Sequence, residues 1–177
     1  VGSEMCIRDR ITTLKTEATS YLDLIMKNMI GVYDTTKYGS IPFVYAGLLP
    51  LVLCLFYFAS RKVPLKNKFL YGSLFAILIA SFYLVPLNLF WHGMHAPNMF
   101  LFRYAYLFSF LVLLLAGKGW EKIEQDDRGL LLGIILVVAA LFAVAWGIKP
   151  EGSYTYVTMT SFVLTVVFLG IYAFACL

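Results

Sequence analysis

The chain has 177 residues, of which 61% are hydrophobic, 17% aromatic and 14% charged. Soluble domains are about 45–50% apolar and about 25% charged, so this excess exceeds what one small water-soluble core can hide, and lipid must replace water over much of the chain. The net charge of +4 sits on Lys and Arg in short loops, not along an aromatic-studded stripe, which argues against nucleic acid as a partner and for membrane topology.

Residues 1–10, Val1-Gly2-Ser3-Glu4-Met5-Cys6-Ile7-Arg8-Asp9-Arg10, look like the in-frame translation of a sequencing adapter and are set apart from fold reasoning. On that reading, native sequence is expected upstream. Residues 11–40 predict an external amphipathic helix followed by a loop. Leu14, Ala18, Tyr21, Leu22, Ile25 and Met29 recur at helical spacing, while Lys15, Glu17, Asp23 and Lys27 fall elsewhere on the wheel. Gly31 is a plausible stop, and Tyr33–Ser40 leads to Ile41-Pro42, where proline suits a first helical turn.

Five apolar runs follow, at about 41–59, 69–87, 99–117, 129–148 and 156–177. Each approaches the roughly 20 residues that a helix needs to cross a bilayer. None alternates as a barrel strand must, so the expected fold is an all-α polytopic bundle of about five transmembrane helices. Arg103, near the start of the third run, is the one interior charge. Gly47, Gly72, Gly117 and Gly133 are scattered small residues and read as ordinary packing positions.

The loops assign an orientation. Arg61, Lys62, Lys66 and Lys68 crowd the first inter-helix loop, and Lys118, Lys122 and Arg128 lie in the third. Positive charge marks the cytoplasmic side. Loops 60–68 and 118–128 are therefore expected inside, and residues 11–40, loop 88–98 and loop 149–155 outside.

Chemically, the distinctive stretch is Trp91-His92-Gly93-Met94-His95-Ala96-Pro97-Asn98-Met99-Phe100-Leu101-Phe102-Arg103-Tyr104. It holds both histidines of the chain. A guanidinium near the bilayer is costly to place and is a functional hypothesis by default. Its planar fork suits a phosphate, to which it can make two parallel charge-assisted hydrogen bonds. Structural roles suit the same residues. Trp91 and Tyr104 fit as interfacial aromatic anchors, Arg103 as a donor to loop carbonyls and His92 as a cap on the preceding helix. His92 and His95 are three apart, but Gly93 and Pro97 oppose a helix there and no acid is near, so no metal is expected. Cys6, Cys54 and Cys176 share no metal-like spacing. Asp23, Asp34, Glu17 and Glu151 are the external carboxylates. Glu121, Glu124, Asp126 and Asp127 read as a solvated, charge-mixed face. No Ser-His-Asp order, Gly-rich phosphate loop or paired buried carboxylate appears, so the catalytic residue is unknown.

Several of these segments resemble the bacterial membrane protein YfhO family. The similarity rests on Ile41-Pro42-Phe43-Val44-Tyr45-Ala46-Gly47-Leu48-Leu49, on Ser81-Phe82-Tyr83 and Asn88-Leu89, on Trp91-His92-Gly93 with Pro97-Asn98, and on Arg103-Tyr104 before Phe108-Ser109-Phe110. It runs from about Leu14 to Trp120, beyond which the last two runs are only generically apolar. The resemblance implies a polyprenyl-phosphate-dependent glycosyltransferase of the GT-C type. Such an enzyme moves a sugar from a lipid carrier to a cell-envelope polymer of the teichoic-acid type on the outer face of the membrane. It implies no covalently bound cofactor, since the lipid-linked sugar is a substrate, and leaves a divalent metal open. It also implies a catalytic carboxylate in an external loop upstream of this chain. Carried onto this sequence, Arg103 would take the carrier phosphate. His92 and Asn98 would orient the headgroup or sugar, and Trp91 and Tyr104 would offer stacking surface. A transporter or lipid flippase is the alternative, although broken-helix or midplane polar sites are not evident in these apolar runs. A structural or assembly subunit is a third reading.

Overall fold

The computed structural model describes residues 22–32, 43–95, 102–149, 154 and 156–176. Among these, the regular structure is helical: α1 Asp23–Met26, α2 Leu48–Ala59, α3 Leu65–Tyr83, α4 Val85–Trp91, α5 Ala105–Trp120, α6 Arg128–Ile148 and α7 Met159–Cys176. A single 3-10 turn, Gln125–Asp127, leads into α6. The protein is an all-α membrane protein, as its apolar runs require.

α3, α6 and α7 are long and apolar enough to cross a bilayer, with only 17%, 28% and 17% of their apolar windows buried within the bundle. Phe69, Leu136 and Phe174 are exposed by 78%, 67% and 80%. An apolar surface of this extent is untenable in water and is what a lipid-facing helix presents. The other two predicted spans are shorter than expected. α2 has 12 residues and α5 has 16, which at 1.5 Å per residue is about 18 and 24 Å.

Each shortening has a local cause. Phe43–Gly47 precedes α2 without helical structure, and Gly47 adopts φ 102°, which a residue with a side chain resists. Pro50 then occupies the first turn, where its missing N–H leaves no helical bond unmade. Ile41 and Pro42 lie outside the described residues. α5 starts late because Phe102–Tyr104 form a turn. Arg103 is thereby exposed ahead of the helix and not within it, contrary to the expected span 99–117.

α2 is the centre of the bundle. Leu48, Val52 and Phe56, at four-residue spacing, pack with Leu131, Ile135, Val138 and Phe142 of α6 and Leu169 of α7. Its other side carries Cys54 and Tyr57 into a second core with Phe108, Leu111, Val112 and Leu115 of α5 and Leu78 and Phe82 of α3. Tyr57 meets Tyr71 edge-on at 5.9 Å, and Phe75 meets Phe108 at 5.1 Å, so aromatic edges knit α3 to α2 and α5.

The backbones of α2 and α5 come close at Gly119. A Cβ there would lie 2.5 Å from the Leu53 carbonyl oxygen, whereas one at Gly117 would meet nothing within 4 Å. The packing glycine of α5 is therefore Gly119, not Gly117. Gly119→Ala is expected to force α2 and α5 apart at a cost of about 1–3 kcal/mol. Gly117→Ala should be neutral or stabilising by up to about 1 kcal/mol. Thermal unfolding of the two variants in nanodiscs checks the contrast; equal melting temperatures would refute it.

Lys62 joins the two basic loops at one end. Its Nζ donates to Asp127 Oδ2 at 2.6 Å and to the Lys122 carbonyl at 3.4 Å, and pairs with Glu124 Oε2 at 3.0 Å. The hydrogen bond to Asp127 is the largest influence holding the Lys62 ammonium above its ordinary pKa. Asp127 also accepts the Glu124 N–H in a capping box, so the acids expected as a merely solvated face organise this turn.

At the opposite end lie residues 22–32, the α3–α4 junction, Tyr154 and residues 156–158. Tyr156 donates to Asp23 Oδ1 at 2.6 Å, and Leu24 packs against the core that holds Phe82 and Tyr104. Of the predicted external helix and loop at 11–40, residues 22–32 are described, and within them Asp23–Met26 is helical. Met29 faces the core as expected, with Leu22 and Ile25 packed against it, while Met26 and Val32, which the helical spacing did not place on that face, are buried there too. Asp23 and Lys27 do not face water; they are 3% and 1% exposed. Burial is tolerated because Asp23 accepts the Tyr156 O–H, while Lys27 Nζ lies 5.0 Å from the centroid of that same ring.

Candidate functional site

Pro86 builds the site by interrupting a helix. It has no N–H to continue the α3 ladder, and its ring would clash with the carbonyl of Phe82, four residues before it. Leu84 turns to φ −107°, ψ 117°, α3 stops at Tyr83, and α4 restarts with Pro86 in its first turn. The predicted run 69–87 is therefore two helices, the second reaching Trp91.

A helix that stops leaves its last carbonyls without partners. The Tyr104 hydroxyl donates to one of them, Ser81 O, at 2.6 Å across 23 residues of sequence. The Ser81 hydroxyl donates to Ile77 O at 2.7 Å and accepts the Trp91 Nε1–H at 3.0 Å. Ser81, fully buried, thus ties together α3, the end of α4 and the turn before α5.

The rings complete the frame. Tyr104 stacks with Trp91 at 5.2 Å and 21°, and with Phe82 at 5.5 Å and 12°. His92 meets Tyr104 edge-on at 6.1 Å. Tyr104 is only 4% exposed, so it is the scaffold of the site and not the stacking surface the resemblance implied. Burial raises its phenol above the usual tyrosine range and keeps it a donor. Trp91 remains 39% exposed.

α4 ends by a Schellman motif. Met94 N–H donates to Leu89 O at 2.8 Å and Gly93 N–H to Phe90 O at 3.2 Å, with Gly93 at φ 63°. Gly93 therefore ends a helix here, and His92 is its capping residue, as the structural reading of His92 expected. The His92 Nδ1 bonds the Asn88 carbonyl at 2.8 Å, and the half-buried ring is held one turn above Asn88. His95 is exposed, with Nδ1 at 2.9 Å from Gly93 O. Among the described residues, no three His, Cys, Asp or Glu side chains come together as a metal set. Cys54 and Cys176 are free thiols.

Of the predicted site residues, the structure brings Trp91, His92 and Tyr104 into mutual contact and puts Arg103 in the same turn as Tyr104. Asn98 lies outside the described residues. Residue-by-residue chemistry did not single out Ser81 or Asn88. A signal existed for Asn88: a polar residue in an apolar run, four before His92, shares its helical face.

Comparison with protein families finds that the model of the bacterial membrane protein YfhO family matches residues 8–177. The similarity thus extends through the last two spans, well past Trp120. No curated protein and no solved structure matches the chain.

Proposed function

Because the chain belongs to the bacterial membrane protein YfhO family, we propose that it is part of a polyprenyl-phosphate-dependent glycosyltransferase of the GT-C type. In this reading, the Trp91–Tyr104 element binds the lipid-linked sugar outside the cytoplasmic membrane. The observation that carries the reading is the built frame of Ser81, Trp91 and Tyr104, next to His92 and Arg103 in the chain, at the end of the bundle remote from Lys62, Lys122 and Asp127. The charge rule makes the Lys62 end cytoplasmic. The frame then stands on the outer face, where a flipped carrier presents its phosphate and a cell-envelope polymer of the teichoic-acid type is the acceptor.

Arg103 is exposed in a turn beside this frame and would hold the carrier phosphate through its planar fork. His92 and Asn98 would orient the headgroup or sugar. A flippase reading would draw on the helix break at Leu84. That break comes only after 19 helical residues, at the end of a complete crossing, whereas transporter sites are built near the midplane.

Sugar transfer by the full-length protein tests the reading. Arg103→Ala should reduce transfer from a polyprenyl-phosphate sugar about ten- to a hundred-fold, the worth of a charge-assisted hydrogen bond. Arg103→Lys, which keeps the charge but loses the fork, should fall between. Unaltered transfer in both variants would sink the assignment. Transbilayer movement of the carrier without transfer would favour the flippase.

A further inference from the structure

At the end of α4 beside Tyr104, two buried polar atoms, Asn88 Oδ1 and His92 Nε2, have no hydrogen-bond partner among the described residues. Such atoms are rare, because each costs about 1–3 kcal/mol of desolvation. Asn88 is only 6% exposed. Residues four apart lie on the same helical face, and the 2.8 Å contact from His92 Nδ1 to Asn88 O holds the ring over that turn.

The polarity of the pair follows from elementary chemistry. A backbone carbonyl can only accept, so His92 Nδ1 carries the hydrogen of this bond. The neutral ring then has its lone pair on Nε2. An amide Oδ1 accepts as well. In that tautomer both positions are acceptors, and what they lack is a donor. A phosphate oxygen, itself an acceptor, does not complement them. A hydroxyl does.

Resting on the reading that the Trp91–Tyr104 element binds a lipid-linked sugar, we infer that Asn88 and His92 form an acceptor pair for the hydroxyl hydrogens of the sugar, leaving the phosphate to other groups. Trp91 supports this division. It lies beside the pair, stacks with Tyr104 and remains 39% exposed, so its ring offers an apolar surface to the C–H face of a pyranose. Asn88 thereby becomes a specificity residue, and the role of His92 narrows from headgroup or sugar to sugar. Both atoms are closed to solvent, so side chains must shift as the ligand enters, as is common on binding. Water does not compete for the bonds once they form.

The test is a ratio of affinities. The chain in lipid nanodiscs is titrated with farnesyl phosphate and with farnesyl phosphate carrying glucose, galactose or N-acetylglucosamine, and binding is followed by tryptophan fluorescence. The unaltered chain is expected to bind at least one glycosylated probe about ten-fold or more tighter than farnesyl phosphate. Asn88→Leu and His92→Phe should each bring that probe down to the level of farnesyl phosphate, while Asn88→Asp, which keeps an acceptor, should preserve the preference. Melting temperatures identify a variant that fails to fold; Asn88→Ala then replaces Asn88→Leu. A preference that survives in both apolar variants overturns the inference, and with a raised melting temperature it marks the pair as a structural or water-filled defect. Binding of farnesyl phosphate without any sugar preference in the unaltered chain overturns the inference and leaves the phosphate reading standing. Binding of none of the probes removes the functional reading itself.

Discussion

Tyr104→Ala is expected to lower the stability of the protein by about 3–5 kcal/mol, the range for truncating a buried aromatic residue. The residue is 4% exposed and stacks with Trp91 and Phe82, so truncation opens a cavity between two elements that touch through it. It also strands the Ser81 carbonyl, which α3 cannot satisfy because the helix stops at Tyr83. Tyr104→Phe separates the two effects. It keeps the stack and loses only the hydrogen bond, at about 1–3 kcal/mol. Unfolding in nanodiscs measures the stability. Emission from a variant in which Trp91 is the sole tryptophan reports whether that ring becomes solvated. If Tyr104→Phe costs as much as Tyr104→Ala, the hydrogen bond and not the stack holds the site. If Tyr104→Ala costs less than about 1 kcal/mol, the frame does not depend on Tyr104 at all.

The fold class was legible because a long apolar run in a chain this hydrophobic has few physical options. The runs at 129–148 and 156–177 became α6 and α7 nearly as read. The boundaries that failed were those set by single backbone residues. Gly47 with its positive φ delayed α2, and Pro86 split the second run; both residues were visible, but an apolar window averages over them. The same averaging hid the site. The Trp91–Tyr104 stretch stood out by its polarity, whereas Ser81 and Asn88 lie inside apolar runs. Their importance comes from a carbonyl left over where a helix ends and from a histidine one turn away. Gly119 was equally silent, since only the approach of the Leu53 carbonyl distinguishes it from Gly117. The amphipathic reading of residues 14–29 placed Asp23 and Lys27 on a wet face because a helical wheel sees one helix. The partner that buries them, Tyr156, is 133 residues away.

That buried polar contact leads to the other large effect. Asp23→Ala is expected to destabilise the protein by about 3–5 kcal/mol, the usual result of removing one member of a buried charged arrangement. Tyr156 loses the acceptor held at 2.6 Å. Lys27, one turn along α1 and 1% exposed, loses the anion across the same ring. Tyr156→Phe alone removes the hydroxyl and keeps the ring, so it should cost about 1.5–3 kcal/mol, as for a hydrogen bond to a charged group. The double variant decides the mechanism. If the two side chains act through their hydrogen bond, the combined loss falls short of the sum by about 1–3 kcal/mol. Simple addition would mean that each matters only through other neighbours. The neighbourhood is well anchored: Ile30 N–H donates to Thr165 Oγ1 at 3.0 Å, and Thr165 donates to Ser161 O at 2.7 Å. Residues 22–32 are thus fastened to α7 by backbone and side chain together. Loss of Asp23 should therefore loosen this segment before the α2–α5 core, which amide hydrogen exchange at Met26, Met29 and Ile30 would register as protection lost there first.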